Sequence, residues 1–277
     1  MIEIAIGFAI ALSVGLTGLG GGSFTTPILV LFLGLPAAAA VGTALAFSAV
    51  LRLLATPFHL LGHNVRARCF WPLVLGGLPG LTLGIYFLRG MRGVEWSPKL
   101  LIALGVLLVG TACASLFGPR HSLDTTARPQ PRERRKSHAW LALLALPIGM
   151  ETGFSSAGSG ALGVLALLNF SDLTAAEAVG TDLVFGSVLA VAGAGWSASL
   201  GLTATHLLTR LLIGGIPGVL IGCMLGKRLP ARRLRALVMG AVLLLGLGLV
   251  WSGVNSFNTP PEARRIAPVG GIAATIR

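Results

Sequence analysis

LPAAAAVGT (35–43) and LTAAEAVGT (173–181) are one stretch written twice, 138 residues apart. The same shift, without a gap, places GGLPG (76–80) on GGIPG (214–218) and Gly84 on Gly222. It also sets the cluster Gly20-Gly21-Gly22 on Gly158-Ser159-Gly160. Duplication inside a strongly apolar chain is the mark of a membrane carrier assembled from two repeats.

Composition bounds the class. Of 277 residues, 54% are hydrophobic and only 11% charged, which describes an integral membrane protein. Apolar stretches of spanning length recur from end to end, leaving no water-soluble domain over. Residues 2–18 carry Glu3 in place of a basic leader, and no small-residue cleavage site follows, so they read as a retained helix. Cys69, Cys113 and Cys223 are scattered and odd in number, which suggests neither a disulfide framework nor a zinc site. The net charge of +12 comes from short loops between spans, where Lys and Arg fix topology. No basic stripe interleaved with aromatics appears, so nucleic acid is not an expected partner.

The expected fold is all-α and polytopic, with about 8–10 transmembrane or re-entrant helices and glycine-rich breaks. A first transmembrane repeat (1–118) divides into apolar pieces at 2–18, 24–34, 36–62, 70–88 and 97–118. A basic cytoplasmic linker (119–138) follows, then a second repeat (139–256) with pieces at 139–156, 160–170, 173–200, 204–227 and 232–254. The proline-bearing tail (257–277) lacks a helical pattern. Each second piece has about ten residues and reaches only half of the hydrocarbon core at about 1.5 Å per residue. Each third piece, of about 27 residues, must tilt or bend. Glycines recur every fourth residue at 76, 80 and 84, and again at 214, 218, 222 and 226. That spacing lines one helix face with small residues and lets backbones touch.

Loop charge tests whether the repeats are parallel or inverted. Four crossings per repeat would put 11 Lys and Arg on one side and 8 on the other. An odd number, with the short second piece crossing or re-entering separately, gives 13 against 6, leaving out Arg52 and Arg210 inside apolar runs. The lopsided count favours inverted repeats with both termini outside.

GLTGLGGGSFTTP (15–27) must break its helix, because five glycines in eight residues remove helix propensity and Pro27 suits the first turn of a new one. The half-helix that follows points its first N–H groups and positive dipole end at the break. TGFSSAGSGALG (152–163) repeats the device with serines added. Two such breaks facing each other would hold a small anion through Gly20, Gly21, Gly22 and Ser23 on one side and Ser156, Gly158, Ser159 and Gly160 on the other. Plain close packing is the competing reading of the glycines. No strand precedes them and their spacing is wrong, so a dinucleotide loop is not expected.

Thr43 and Thr181, in the VGT pieces, are candidate ligand hydroxyls, or they bond backbone only. After Thr181 comes Asp182, where the first repeat has Ala44. A carboxylate inside a span is costly and defaults to function, here proton coupling, with Glu151 a second candidate. Arg52 either attracts the anion or, the preferred expectation, snorkels to the interface. Arg210 reads as interfacial, and His59 and His63 as polar helix ends.

Together these stretches resemble the sulfite-exporter TauE/SafE family (TSUP). The resemblance is carried by GLGGGSFTTPILVLFLGLPAAAAVGTAL (18–45), HNVRARCFWPLVLGGLPGLTLG (63–84), AEAVGTDLVFG (176–186) and LLIGGIPGVLIGCMLGKRLP (211–230). It covers nearly the whole chain apart from linker and tail. It implies a multi-pass carrier in the cell inner (cytoplasmic) membrane, moving small sulfur-containing anions such as sulfite, thiosulfate or organosulfonates with the proton gradient. No cofactor is expected. This sequence departs from the family in HNVRAR, where an aspartate often follows the valine.

Other classes fare worse. No Walker-type motif is present, so the chain does not fuel itself. Intramembrane proteolysis would need a nucleophile held to a base, and only Ser159 with His206 offers itself. Nine scattered carboxylates supply no magnesium cluster for prenyl transfer. The expectation is therefore a non-enzyme whose partners are the anion, protons and the bilayer. An assembly or sensor role is the alternative, and homo-oligomerisation stays open.

Overall fold

Each apolar run becomes a helix in the computed structural model, which describes residues 1–17, 21–60, 65–90, 98–117, 138–171, 173–226 and 231–257. The first half contains α1 (Ile2–Thr17), α2 (Gly22–Leu31), α3 (Ala37–Leu60), α4 (Ala67–Gly90) and α5 (Pro98–Phe117). The second contains α6 (His138–Ser155), α7 (Gly158–Phe170), α8 (Ala175–Ser199), α9 (Thr205–Gly226) and α10 (Ala231–Phe257). Every helix of the first half has a counterpart close to 138 residues on. Beyond their end residues His138 and Phe257, the linker (119–138) and tail (257–277) lie outside the described residues.

α3, α4, α5, α8, α9 and α10 are long and apolar enough to cross a membrane, whereas α1, α2 and α6 are shorter apolar helices. Trp71, Trp140, Trp196 and Trp251 lie exposed near helix ends, as amphipathic rings do at the headgroup level.

The short second pieces double back. Leu144, Ile148 and Glu151 of α6 line one groove with Phe170, Ala166 and Leu162 of α7. Had α7 continued along the course of α6, Leu144 and Phe170 would stand roughly 39 Å apart. Ile6, Ile10 and Ser13 of α1 share an equivalent groove with Phe24 and Ile28 of α2 and with Phe32 just beyond its end. Each half therefore begins with a helical hairpin whose tip is the glycine-rich break.

The glycine stripes clamp these hairpins. A methyl on Gly214, Gly218 or Gly222 of α9 would strike the carbonyl oxygen of Ile4, Phe8 or Leu12 of α1. Gly76, Gly80 and Gly84 of α4 approach Ala142, Leu146 and Met150 of α6 in the same way. Residue numbers rise together along both seams, so α1 runs parallel to α9 and α4 parallel to α6. The first leg of each hairpin is thus held by the fourth helix of the other half, at a distance that only glycine permits. Gly214→Ala is expected to cost about 1–3 kcal/mol by overpacking. Gly110→Ala, with open space around it, serves as the control in detergent thermal unfolding. Equal melting of the two variants would show that the seam tolerates separation.

Counterpart helices, by contrast, pack antiparallel. Gly105 of α5 meets Gly246 and Val250 of α10, whereas Gly253 meets Pro98 and Ile102. Between α3 and α8, Leu45 lies by Gly193 and Arg52 by Gly186, and the hydroxyls of Thr56 and Ser187 bond at 3.2 Å.

One expectation is corrected. α2 starts at Gly22, so Pro27 lies more than one turn in rather than in the first turn. Its missing N–H takes the Ser23 carbonyl out of the helical ladder beside the break.

Candidate functional site

The two hairpin tips touch. Thr26 Oγ1 donates to the Ser155 carbonyl at 3.0 Å and lies 2.7 Å from Ser156 Oγ. Ser156 Oγ donates to the Gly22 carbonyl at 3.1 Å, and Ser23 Oγ reaches the Ala157 carbonyl at 3.5 Å. All these hydroxyl-bearing residues are buried, so the contact is a polar seam within an apolar protein. The α2 ladder starts with the N–H groups of Phe24 and Thr25 on the Gly21 carbonyl, leaving those of Gly22 and Ser23 ahead of it at the seam.

The second tip is bent by its backbone. Ser156 has φ +64, a left-handed conformation that costs a non-glycine residue about 1–2 kcal/mol. Gly160 has φ +118, which its missing Cβ permits, and Ser159 leaves helical geometry between them. Thr152 holds the bend, accepting the Ser159 N–H at 2.9 Å on its hydroxyl and the Ser156 N–H at 2.9 Å on its carbonyl. The serines expected to donate amides therefore spend them internally and turn carbonyls and hydroxyls outward instead.

Those oxygens face a cation that the sequence reading sent elsewhere. Arg52 does not snorkel. It is 1% exposed, and its Nη2 donates to the carbonyl and hydroxyl of Ser159 at 2.8 and 3.1 Å. Nε donates to Ser48 Oγ at 3.3 Å, and Nη1, against Gly186 of α8, has no hydrogen-bond partner among the described residues. The side chain points across to the second tip because two acceptors wait there, which outweighs a longer reach to water. Only its position deep inside a span hinted at this role.

Asp182 lies one turn before Gly186 on α8, 2% exposed, with Oδ1 against Gly163 of α7, and it attracts Arg52 electrostatically. Shifted by 138 residues, Arg52 falls on Ala190 and Asp182 on Ala44, so the two charges break the likeness of the halves. Glu151, on the last turn of α6, is buried beside the α6–α7 groove, and its Oε1 has no partner among the described residues.

Thr43 and Thr181 are engaged away from the tips. Thr43 Oγ1 accepts the Ala204 N–H at 3.0 Å and Thr181 Oγ1 accepts the Arg66 N–H at 3.1 Å, each just before a glycine-stripe helix. The structure gives both a matching structural task, pinning the starts of α9 and α4. Arg66, where the HNVRAR stretch departs from the family pattern, also pairs with Glu177, which caps α8. Arg210 pairs with Glu3 at 2.7 Å, close to helix starts. Gly20, His63 and the side chain of His59 lie outside the description. Gly158 sits against Ile148 and Glu151, at the base of its bend. Ser159 is buried on Arg52 while His206 is exposed on the first turn of α9, so the protease pairing is not formed.

Two clamped hairpins meeting tip to tip among six spanning helices define a polytopic helical membrane protein with a buried polar seam. Residues 3–249 match the family model described as "Sulfite exporter TauE/SafE", and the chain belongs to that family. Similar proteins include the "Probable membrane transporter protein YjnA" of Bacillus subtilis (strain 168), 31% identical, covering 89% of this chain and 98% of that one. Another is a "Probable membrane transporter protein" of Xylella fastidiosa (strain Temecula1 / ATCC 700964), 26% identical over 91% of this chain and 95% of that one. No solved structure matches. The protein is a multi-pass membrane transporter of the TauE/SafE type.

Proposed function

We propose that this chain is a proton-coupled secondary carrier of small sulfur-containing anions, such as sulfite, thiosulfate or organosulfonates, across the cytoplasmic membrane. The observation that carries the reading is the buried guanidinium of Arg52 at the meeting of two broken hairpins, with Nη1 unengaged among the described residues. A planar fork of donors suits an oxyanion, and away from water the attraction between the two charges is less screened. The anion enters by parting the tips, replacing the Thr26–Ser156 and Ser23–Ala157 contacts with bonds from the same hydroxyls. Gly21, Gly22, Ser23, Ser156, Ser159 and Gly160 form its surroundings together with Arg52; Asp182 carries the proton.

Inverted repeats fit this reading. Their support is that counterpart helices run antiparallel (α3 with α8, α5 with α10), as an in-plane two-fold axis requires. Three crossings per half then put Arg66, Arg68, the linker and the α9–α10 loop on one side, which carries 13 Lys and Arg and is therefore cytoplasmic. Each hairpin enters from its own face, so their tips meet within the bilayer, where broken backbone needs protein around it.

The test is flux of labelled sulfite or thiosulfate into proteoliposomes. We expect accumulation that rises when a pH gradient is imposed. Flux absent under every gradient and with both anions overturns the carrier reading.

A further inference from the structure

We infer that Arg52 and Asp182 form a charge couple that fixes the transported unit as one monovalent anion with one proton, so that transport is electroneutral. The inference rests on the carrier reading above and adds valence and stoichiometry to it.

Two observations carry it. Arg52 and Asp182 are both almost wholly buried, one across from the second tip on α3 and the other one turn before the Arg52 contact on α8. Neither has a charged counterpart in the other half, where alanines stand. A guanidinium stays protonated, so in a low-dielectric site its charge must be matched by an anion. In the empty carrier Asp182 is that anion. The remaining ionisable groups on the elements packed against α8 are His59 on α3, His138 and Glu151 on α6, and Arg68, Cys69, Tyr86 and Arg89 on α4; α7 has none. Glu177 on α8 itself is taken by Arg66. His138 starts α6, Arg68 and Arg89 sit near the ends of α4, and Glu151 is in no ion pair among the described residues, so Asp182 is the described carboxylate that answers Arg52.

When a monovalent anion binds the Nη1 side of Arg52, two negative charges face one positive. The site returns to neutrality if Asp182 takes one proton from water. The charge sum is zero before (Arg52 cation, Asp182 carboxylate) and zero after (Arg52 cation, bound anion, Asp182 carboxylic acid). No charge is left buried in either state, and nothing moves across the membrane except the anion and its proton. A divalent anion leaves one negative charge uncompensated, which the apolar surroundings disfavour.

Methanesulfonate is the probe, since it stays a monoanion and any proton taken up belongs to the protein. With full-length protein in weakly buffered detergent solution, we expect close to one proton absorbed per methanesulfonate bound, and affinity falling about tenfold per pH step over the range in which that proton is absorbed. Thiosulfate, a dianion, is expected to bind about tenfold more weakly or worse. In Asp182→Asn the uncompensated Arg52 should bind methanesulfonate more tightly, with no proton uptake and no pH dependence. In Glu151→Gln, proton uptake should persist. Binding without proton uptake in the wild type overturns the couple, as does uptake that survives in Asp182→Asn or thiosulfate binding as tightly as methanesulfonate. If Asp182→Asn does not fold, the wild-type proton count and the methanesulfonate-to-thiosulfate ratio still decide. Failure of sulfite, thiosulfate and methanesulfonate alike to bind sinks the anion-carrier reading itself, whereas binding with the wrong proton count sinks only the couple.

Discussion

Gly22→Ala is expected to lower anion flux by about 100-fold or more while leaving a folded protein, because it forces the two hairpin tips apart. A methyl at Gly22 would strike the Ser156 carbonyl and lie 2.9 Å from Ser156 Oγ. The first obstacle is backbone, held by the Thr152 bond and by the strained turn at Ser156, so no side-chain rotation relieves it. Overpacking of this type costs about 1–3 kcal/mol, which a membrane protein of this size survives. Gly21→Ala should lose several-fold less, since its methyl first meets the Val14 side chain at 3.0 Å, which can give way. Counterflow of labelled sulfite measures both. A wild-type rate in Gly22→Ala would mean that tip contact plays no part in the cycle.

The second large effect concerns the buried charges. Arg52→Gln removes the cation that faces Ser159 and leaves Asp182 without its countercharge, a loss expected to cost about 3–5 kcal/mol of stability. Anion binding should vanish with it. Adding Asp182→Asn removes the stranded carboxylate and should recover most of the stability but none of the binding. This separation distinguishes a binding cation from a packing one. If the double variant melts no higher than Arg52→Gln alone, the two charges are not coupled and the site must be sought elsewhere.

Much of the architecture was legible in the chain. The ten pieces read from apolar runs match the ten helices to within three residues at every end, the largest differences being the end of α2, the start of α4 and the end of α10. Length and hydropathy are local properties, and a bilayer admits few alternatives to helices. The glycine stripes were equally readable, because a residue every fourth position must share one helix face. The break at 156–160 was read from its glycines and serines, and it lies where the backbone bends.

Arg52, Thr43 and Thr181 were harder for one shared reason. Each side chain has several chemically satisfactory partners, and which one it takes depends on residues more than 100 positions away. An arginine stem is long enough to reach water or to reach Ser159, and sequence spacing cannot weigh two destinations. A threonine hydroxyl is as content to receive an N–H from Arg66 or Ala204 as to hold a ligand. Pro27 was placed one turn early because helix starts are set by capping geometry at the tip rather than by proline alone.

What the amino acids alone determined is the set of helices, their internal likeness, and the two places where the chain has to break. Only the folded molecule decided that the short legs turn back, that the breaks meet, and that an arginine from one half answers a serine and an aspartate from the other. The physical reason is range. Helix formation and bilayer partition are settled within a few turns of chain, whereas pairing of buried polar groups is settled by whichever partner the packing of distant helices brings within about 3 Å.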